Sequence, residues 1–170
     1  MAITVDKAEV TLPSETEVKV TRSFKAPQAL VYRAYTEPKL LQRWLLGPPG
    51  WTMPVCEMDV RVGGKYRWRW RSEREGTEFG FSGVFRQIDS PAKLVHTEKF
   101  DPGTTGEGYP GGEALVTVSF QEEAGITTVT SLIEYGTREG RDAALATGMT
   151  DGMEQSYQLL DRLFAEQLTK

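Results

Sequence analysis

From Glu15 onward apolar and polar positions alternate, with Val18, Val20 and Arg22 on one parity and Lys19, Thr21 and Ser23 on the other. A period of two with Val and Thr predicts a strand ending near Phe24. Ala26-Pro27 breaks it. Pro27 suits the first turn of a helix, and Leu30, Val31, Ala34 and Tyr35 give that helix one apolar face. Glu37-Pro38 interrupts, and a second short helix is predicted over about 38–45, with Leu41, Trp44 and Leu45 inward. Gly47-Pro48-Pro49-Gly50 then forces a loop. Strand-like segments follow at about 52–62, 64–72, 77–89, 93–100, 113–121 and 126–135. Turns at Gly63-Gly64, Ser90-Pro91 and Glu123-Ala124-Gly125 separate them, and so does a long Gly/Pro-rich loop over 101–112. The C-terminal part is helical. Thr137 is the expected N-cap, Glu139 suits the first turn, and Met149, Met153, Tyr157, Leu160, Phe164 and Leu168 form a stripe that must be buried.

The order is strand, two short helices, six strands, one long helix. Sequential strands joined by short turns make an antiparallel meander. The expected fold class is α+β: a seven-stranded curved antiparallel sheet around a long C-terminal helix, with two short helices after strand one. Residues 1–15 are expected to be an N-terminal extension that dangles or lies along a sheet edge. Residues 16–170 are expected to form one domain.

Composition narrows the function classes. The chain has 170 residues, 20 Lys+Arg against 24 Asp+Glu, and a net charge of −4. That balance argues against a nucleic-acid partner. One cysteine, Cys56, excludes an internal disulfide, and one histidine, His96, excludes a His-based metal cage within the chain. No apolar run is long enough to span a membrane. The first ten residues carry Asp6, Lys7 and Glu9 and lack an apolar core, so no signal peptide is expected and a cytoplasmic location is. Gly106-x-Gly108-x-x-Gly111 matches a dinucleotide fingerprint by letter, but it contains Pro110 and leads into a strand. Cys56 has no activating neighbour in the sequence and is expected to have no catalytic role.

Lys65-Tyr66-Arg67-Trp68-Arg69-Trp70-Arg71 alternates strictly. As a strand it puts Tyr66, Trp68 and Trp70 on one face and the basic side chains on the other. The aromatic face reads as a cavity wall or as plain core beneath the helix. The basic face reads as solvated, with Glu73, Glu75 and Glu78 available as partners, or as a site for phosphate or an acidic partner. Phe79, Phe81 and Phe85 share one parity with Gly83 between them, where a bulge is expected, or else room for something. His96 and Glu98 share a parity with Leu94 and Phe100. If that face is interior, burial raises the carboxyl pKa and makes a candidate acid/base pair; Val95 and Thr97 would suit an interior equally. On the helix Gly140, Ala144, Gly148, Gly152 and Ser156 are small and four apart, either for close packing or beside an empty volume.

Several stretches together resemble a known family. They are Phe24-Lys25-Ala26-Pro27 through Val31-Tyr32, Trp44 before a Gly-Pro loop, Asp59-Val60-Arg61-Val62-Gly63-Gly64, and Phe81-Ser82-Gly83-Val84-Phe85. Further on come Leu94 to Phe100, and Glu139-Gly140-Arg141-Asp142-Ala143 leading to Met149, Gly152 and Leu160-Asp161. Over about 17–168 the chain resembles the START-like, Bet v 1-like superfamily, in the branch named after the activator of Hsp90 ATPase. The resemblance implies a helix-grip fold and a central cavity for an apolar or amphipathic small molecule. The expected function is binding of such a molecule between sheet and helix. Its expected contacts are Tyr66, Trp68, Trp70, Phe79, Phe81, Phe85, His96, Glu98, Met149, Met153 and Tyr157. The alternatives are a cyclase, hydratase or lyase using His96 and Glu98 as acid and base, and a protein-interaction module of the Hsp90-activator type. No cofactor and no metal are called for, and a homodimer is left open.

Overall fold

The computed structural model describes residues 7–105 and 112–168; the dinucleotide-like letters at 106–111 lie outside the described residues. Its elements are β1 (Glu9–Thr11), β2 (Glu17–Phe24), α1 (Gln28–Thr36), α2 (Pro38–Trp44), β3 (Trp51–Met58), β4 (Lys65–Ser72), β5 (Glu78–Asp89), β6 (Lys93–Asp101), β7 (Ala114–Glu123), β8 (Ile126–Glu134), α3 (Arg138–Ala146) and α4 (Met149–Leu168). The strands form one antiparallel sheet in the order β1-β2-β8-β7-β6-β5-β4-β3. The helix-grip arrangement is therefore as expected, with three corrections.

The sheet has eight strands, not seven. The extra one is β1, drawn from the N-terminal extension, which pairs along the β2 edge from Glu9↔Thr21 to Thr11↔Lys19. Three residues carry too little alternation to be legible as a strand. The long C-terminal helix is interrupted. Thr147 caps α3, its hydroxyl donating to the Ala144 carbonyl at 2.6 Å. Gly148 follows at φ +81°, a left-handed conformation that ends a helix and that a β-carbon disfavours. α4 begins one residue later. Thr137 is the N-cap of α3 as expected, accepting from the Gly140 N–H at 3.0 Å.

The predicted strand 52–62 is also shorter than its apolar pattern, because Asp59–Gly64 form a turn. Arg61 N–H donates to the Asp59 carbonyl, Gly64 N–H donates to the Arg61 carbonyl, and Gly63 sits at φ +84°. A β-carbon on Gly64 would run into the Asp59 carbonyl, so that second glycine is required by close approach.

The stripe on α4 serves two purposes along its length. Leu160 and Phe164 are buried in the core, where Phe24 packs edge-on against Phe164 at 5.7 Å and against Tyr157 at 5.6 Å. Trp44, on α2, stacks on Tyr157 at 6.3 Å and donates its indole N–H to the Ala34 carbonyl. Toward the N-terminus of α4 the helix stands away from the sheet, and the stripe faces open volume.

Arg22 occupies the inner face of β2 beside Val18, Val20 and Phe24 and is 1% exposed. Its guanidinium donates to Glu154 at 3.2 Å and Asp161 at 2.8 Å, both on α4, and lies 5.1 Å from the Phe24 ring centroid. A buried cation is tolerable only with such partners. Glu154 also accepts from the Ala8 N–H at 2.7 Å, which ties the segment preceding β1 to the helix.

Candidate functional site

The strict alternation of β4 settles its orientation. Tyr66 and Trp70 are buried and Trp68 is half-buried on the concave face; Lys65, Arg67 and Arg71 are exposed on the other. Arg69 is the exception on the basic face, half-buried and held by Glu78 at 2.6 Å and Asp101 at 3.2 Å. Cross-strand pairs extend the aromatic surface: Trp68 faces Phe81 and Trp70 faces Phe79 on β5, and Phe81 faces Phe100 on β6. The Trp70 and Phe79 rings stack at 5.4 Å and 28°.

These rings wall a cavity of about 830 Å³ between the sheet and the first half of α4, a volume suited to a drug-sized molecule. Trp68, Trp70, Phe79, Phe81, Phe85, His96, Glu98, Met149, Met153 and Tyr157 all line it. Tyr66 does not. It is 2% exposed and sits behind the wall, its ring 4.5 Å from that of Trp68 and 5.0 Å from that of His96. Wall residues outside the sequence-derived set include Trp44, Trp51, Met58, Val116, Ser131, Ile133 and Tyr135, and the loop Leu45–Pro48 closes over it. Alternation on β7 carried a clear signal for Val116 and Val118, which share a parity with Ala114 and Phe120; on β8 the signal for Ser131 and Ile133 is weaker, because Thr stands on both faces and Leu132 lies on the face opposite Ile133. The loop is pinned from two sides: Trp70 donates its indole N–H to the Leu45 carbonyl at 2.6 Å, and the Gly47 N–H donates to the Ser156 hydroxyl at 2.8 Å.

Gly83 is explained by neither bulge nor vacancy. The register shift on β5 falls between Phe85 and Gln87. Gly83 faces Tyr66 on β4, and a β-carbon there would meet the Tyr66 ring and the Thr97 carbonyl. The missing side chain lets the Tyr66 ring lie flat against the sheet, with its hydroxyl donating to the Thr97 carbonyl at 2.5 Å.

The parity of β6 is now decided: Leu94, His96, Glu98 and Phe100 face the cavity. His96 Nδ1 lies 3.0 Å from both the Thr97 carbonyl and the Tyr66 hydroxyl. A carbonyl only accepts, and the Tyr66 proton is already directed at it, so Nδ1 carries hydrogen. Nε2 is thereby a lone-pair acceptor, and among the described residues nothing hydrogen-bonds to it. Burial pushes the imidazole down to about 4, so it is neutral at pH 7. Glu98 lies one pleat along. Its partner on β7 is the small Ala114, and its side chain lines the cavity. Burial away from bulk water pushes it up to about 7. The two groups thus invert the usual order of acid and base.

Other polar atoms in the wall are sparse. Trp68 Nε1–H is buried without a partner among the described residues, and Tyr35 Oη lies near Tyr157 without completing a hydrogen bond. The Tyr135 hydroxyl donates to Met149 Sδ at 3.2 Å. Asp151 and Gln155 stand on the α4 side of the lining. No three His, Cys, Asp or Glu side chains converge as metal ligands among the described residues. Cys56 lies outside the wall, and burial raises its thiol to about 11. Of the small stripe on α3 and α4, Gly140 and Ala144 are buried, whereas a β-carbon on Gly152 would meet nothing within 4 Å. Gly152 borders the cavity.

A curved antiparallel sheet gripping a C-terminal helix over a hollow, aromatic interior defines a helix-grip protein of the START-like, Bet v 1-like type. The chain belongs to the Activator of Hsp90 ATPase homolog 1-like family, whose model matches residues 25–165. A solved protein from Rhodobacter sphaeroides is 32% identical, with a TM-score of 0.85 over 95% of this chain and 99% of that one. One from Chromobacterium violaceum is 25% identical, with a TM-score of 0.76 over 89% and 98%. One from Nitrosomonas europaea, 23% identical with a TM-score of 0.78 over 94% and 100%, shares the fold. None of the curated proteins compared matches the chain. No helix among the described residues is long and apolar enough to cross a membrane.

Proposed function

We propose that the protein binds an apolar or aromatic small molecule in the cavity between the sheet and α4. The observation that carries this reading is the hollow itself: about 830 Å³ left open behind a wall of Trp, Phe and Met. Aromatic faces stack on ligand rings and methionines adapt to their outline. A protein that needed only stability would fill such a volume, since unfilled apolar space forfeits packing energy. Titration with the neutral probe N-phenyl-1-naphthylamine and with neutral polycyclic aromatics, followed by tryptophan emission, tests it. A probe is expected to perturb the emission, and Trp68→Phe or Trp70→Phe to remove most of the change; Trp44 and Trp51 also report, so the single variants are needed. In the same titration Gly152→Leu is expected to weaken probe binding roughly tenfold or more, about 1.4 kcal/mol, by occupying the cavity. Its thermal stability should hold, because leucine favours the helix over glycine by about 1 kcal/mol. If no probe changes the emission of either strand tryptophan, the binding reading falls.

A second reading is favoured by the inward pair His96 and Glu98: acid–base catalysis of the cyclase, hydratase or lyase kind on a polyketide-like or aromatic substrate. His96 Nε2 is available as a base, and Glu98 is a protonated acid for part of its population at neutral pH. The check is exchange of the enolisable hydrogens of 2-tetralone in deuterated buffer, followed by NMR. Acceleration that is lost in both His96→Gln and Glu98→Gln is the expected result, and exchange at the buffer rate would remove this reading. An interaction module has the least support. Its interior should be filled and its surface should carry an apolar patch, whereas Val10, Leu12, Val62 and Leu115 are the large apolar side chains exposed among the described residues, drawn from separate segments.

A further inference from the structure

The ionisable groups that face the cavity differ in kind from its apolar wall, and among the described residues they are one-sided, with Glu98 and Asp151 as carboxylates and His96 as a neutral imidazole. The Glu98 carboxyl makes no hydrogen bond and no ion pair among the described residues. His96 presents a lone pair at Nε2, because its Nδ1 hydrogen is held at 3.0 Å by the Thr97 carbonyl and the Tyr66 hydroxyl. Both groups are acceptors on adjacent pleats of one strand. Among the described residues no lysine or arginine lines the cavity. Arg22 lies behind Tyr157, 6.0 Å from its ring centroid, and is already engaged by Glu154 and Asp161. The other carboxylate of the lining, Asp151, adds to the same sign. Two acceptors that no donor engages, in a pocket lined by no cation among the described residues, are best completed by a ligand that brings hydrogens and positive charge.

The surroundings of Glu98 fit such a group. Cross-strand pairing sets Phe81–Phe100 on one side of it and Phe85–His96 on the other. Aromatic faces attract a cation within about 6 Å of the ring centroid and offset part of its desolvation. A carboxylate ligand would meet Glu98 as a like charge in a medium of low dielectric, where repulsion is strongest.

Building on the binding reading, we propose that the cavity selects a protonated amine carried at the end of an apolar or aromatic body, with Glu98 as its counter-ion and His96 Nε2 as a second acceptor. One ammonium has three hydrogens, enough for both groups and one bound water or ligand atom.

Isothermal titration calorimetry at pH 8 with 2-(2-naphthyl)ethylamine, 2-(2-naphthyl)ethanol and 2-naphthylacetate separates this inference from the reading beneath it. The amine is expected to bind about tenfold or more tightly than the alcohol, as a charge-assisted hydrogen bond warrants, and the carboxylate more weakly than both. Glu98→Gln should remove the amine's advantage over the alcohol; the substitution is isosteric, and a cooperative melting transition at or above the wild-type temperature shows that the fold survives. An alcohol equal to the amine, or a carboxylate that binds best, overturns the inference and leaves cavity binding intact. An amine preference that survives Glu98→Gln and disappears in Asp151→Asn overturns the assignment to Glu98. Failure of all three ligands to bind overturns the inference together with the binding reading.

Discussion

Replacing Glu98 by glutamine is expected to stabilise the protein by about 3 kcal/mol above pH 7.5 and by little below pH 4. In the folded chain the carboxyl titrates near 7 instead of 4.5, because ionisation in the cavity forgoes hydration. Between those values the folded state holds a proton that the unfolded state has released. Stability therefore falls as pH rises through this window, and glutamine, which cannot ionise, abolishes the fall. His96 works in the opposite sense. Its folded value is about 4 against an ordinary 6.5, so the unfolded state takes up protons first and stability declines as pH drops from 6.5 to 4. In the wild-type protein the two slopes oppose each other over most of pH 4.5–6.5. Glu98→Gln unmasks the histidine, so the variant should lose stability more steeply on acidification. Glu154, held below the ordinary carboxylate range by Arg22, the Ala8 N–H and Gln158 despite the opposing effect of its burial, contributes to both proteins alike and cancels in their difference. Urea unfolding of both proteins across pH 4–8 measures that difference. A difference that does not change with pH would place Glu98 in bulk water and remove it from the cavity.

Arg22→Ala is expected to cost about 3–5 kcal/mol, the range for removing one partner of a buried charge cluster. The loss is more than two ion pairs. It leaves Glu154 only partly satisfied against the core, and it empties the space over Phe24 and Tyr157 where the guanidinium packs. The paired variant Arg22→Met/Glu154→Leu should recover most of the stability, because apolar side chains of similar volume replace both the charge and its counter-charge. Equilibrium unfolding in urea distinguishes the two variants. A loss below about 1 kcal/mol for Arg22→Ala would class the cluster with exposed ion pairs. The double variant also bears on the first strand, since Glu154 accepts from the Ala8 N–H; the amides of β1 should exchange faster with solvent when that carboxylate is gone.

What could be read from the chain alone was local. The order of elements followed from turn residues and periodicity, and the inward face of β4 followed from one energetic fact. Four basic side chains in strict alternation with Tyr66, Trp68 and Trp70 cannot face an apolar interior unpaired, so the opposite face had to. Thr137 could be recognised as a cap from the same short-range chemistry. The family could be recognised because several short stretches stood in a fixed order along the chain.

Tertiary structure decided everything that depended on a partner distant in sequence. The parity of β6 was open because Val95 and Thr97 are as suitable for burial as Leu94 and His96, and only the neighbouring strands turn His96 and Glu98 inward. Gly83 looked like a gap, but the Tyr66 ring from the next strand covers it. Arg22 shared a parity with valines, a position tolerable only because Glu154 and Asp161 reach it from a helix over 130 residues away. The break at Gly148 escaped the pattern because the stripe of small residues from Gly140 to Ser156 runs through it without a change of period, while the backbone does not. The hollow itself is the clearest case. The same Trp, Phe and Met residues describe a filled core or a cavity wall, and the choice rests on how far α4 stands from the sheet, a distance set by packing at its other end around Phe24, Leu160 and Phe164.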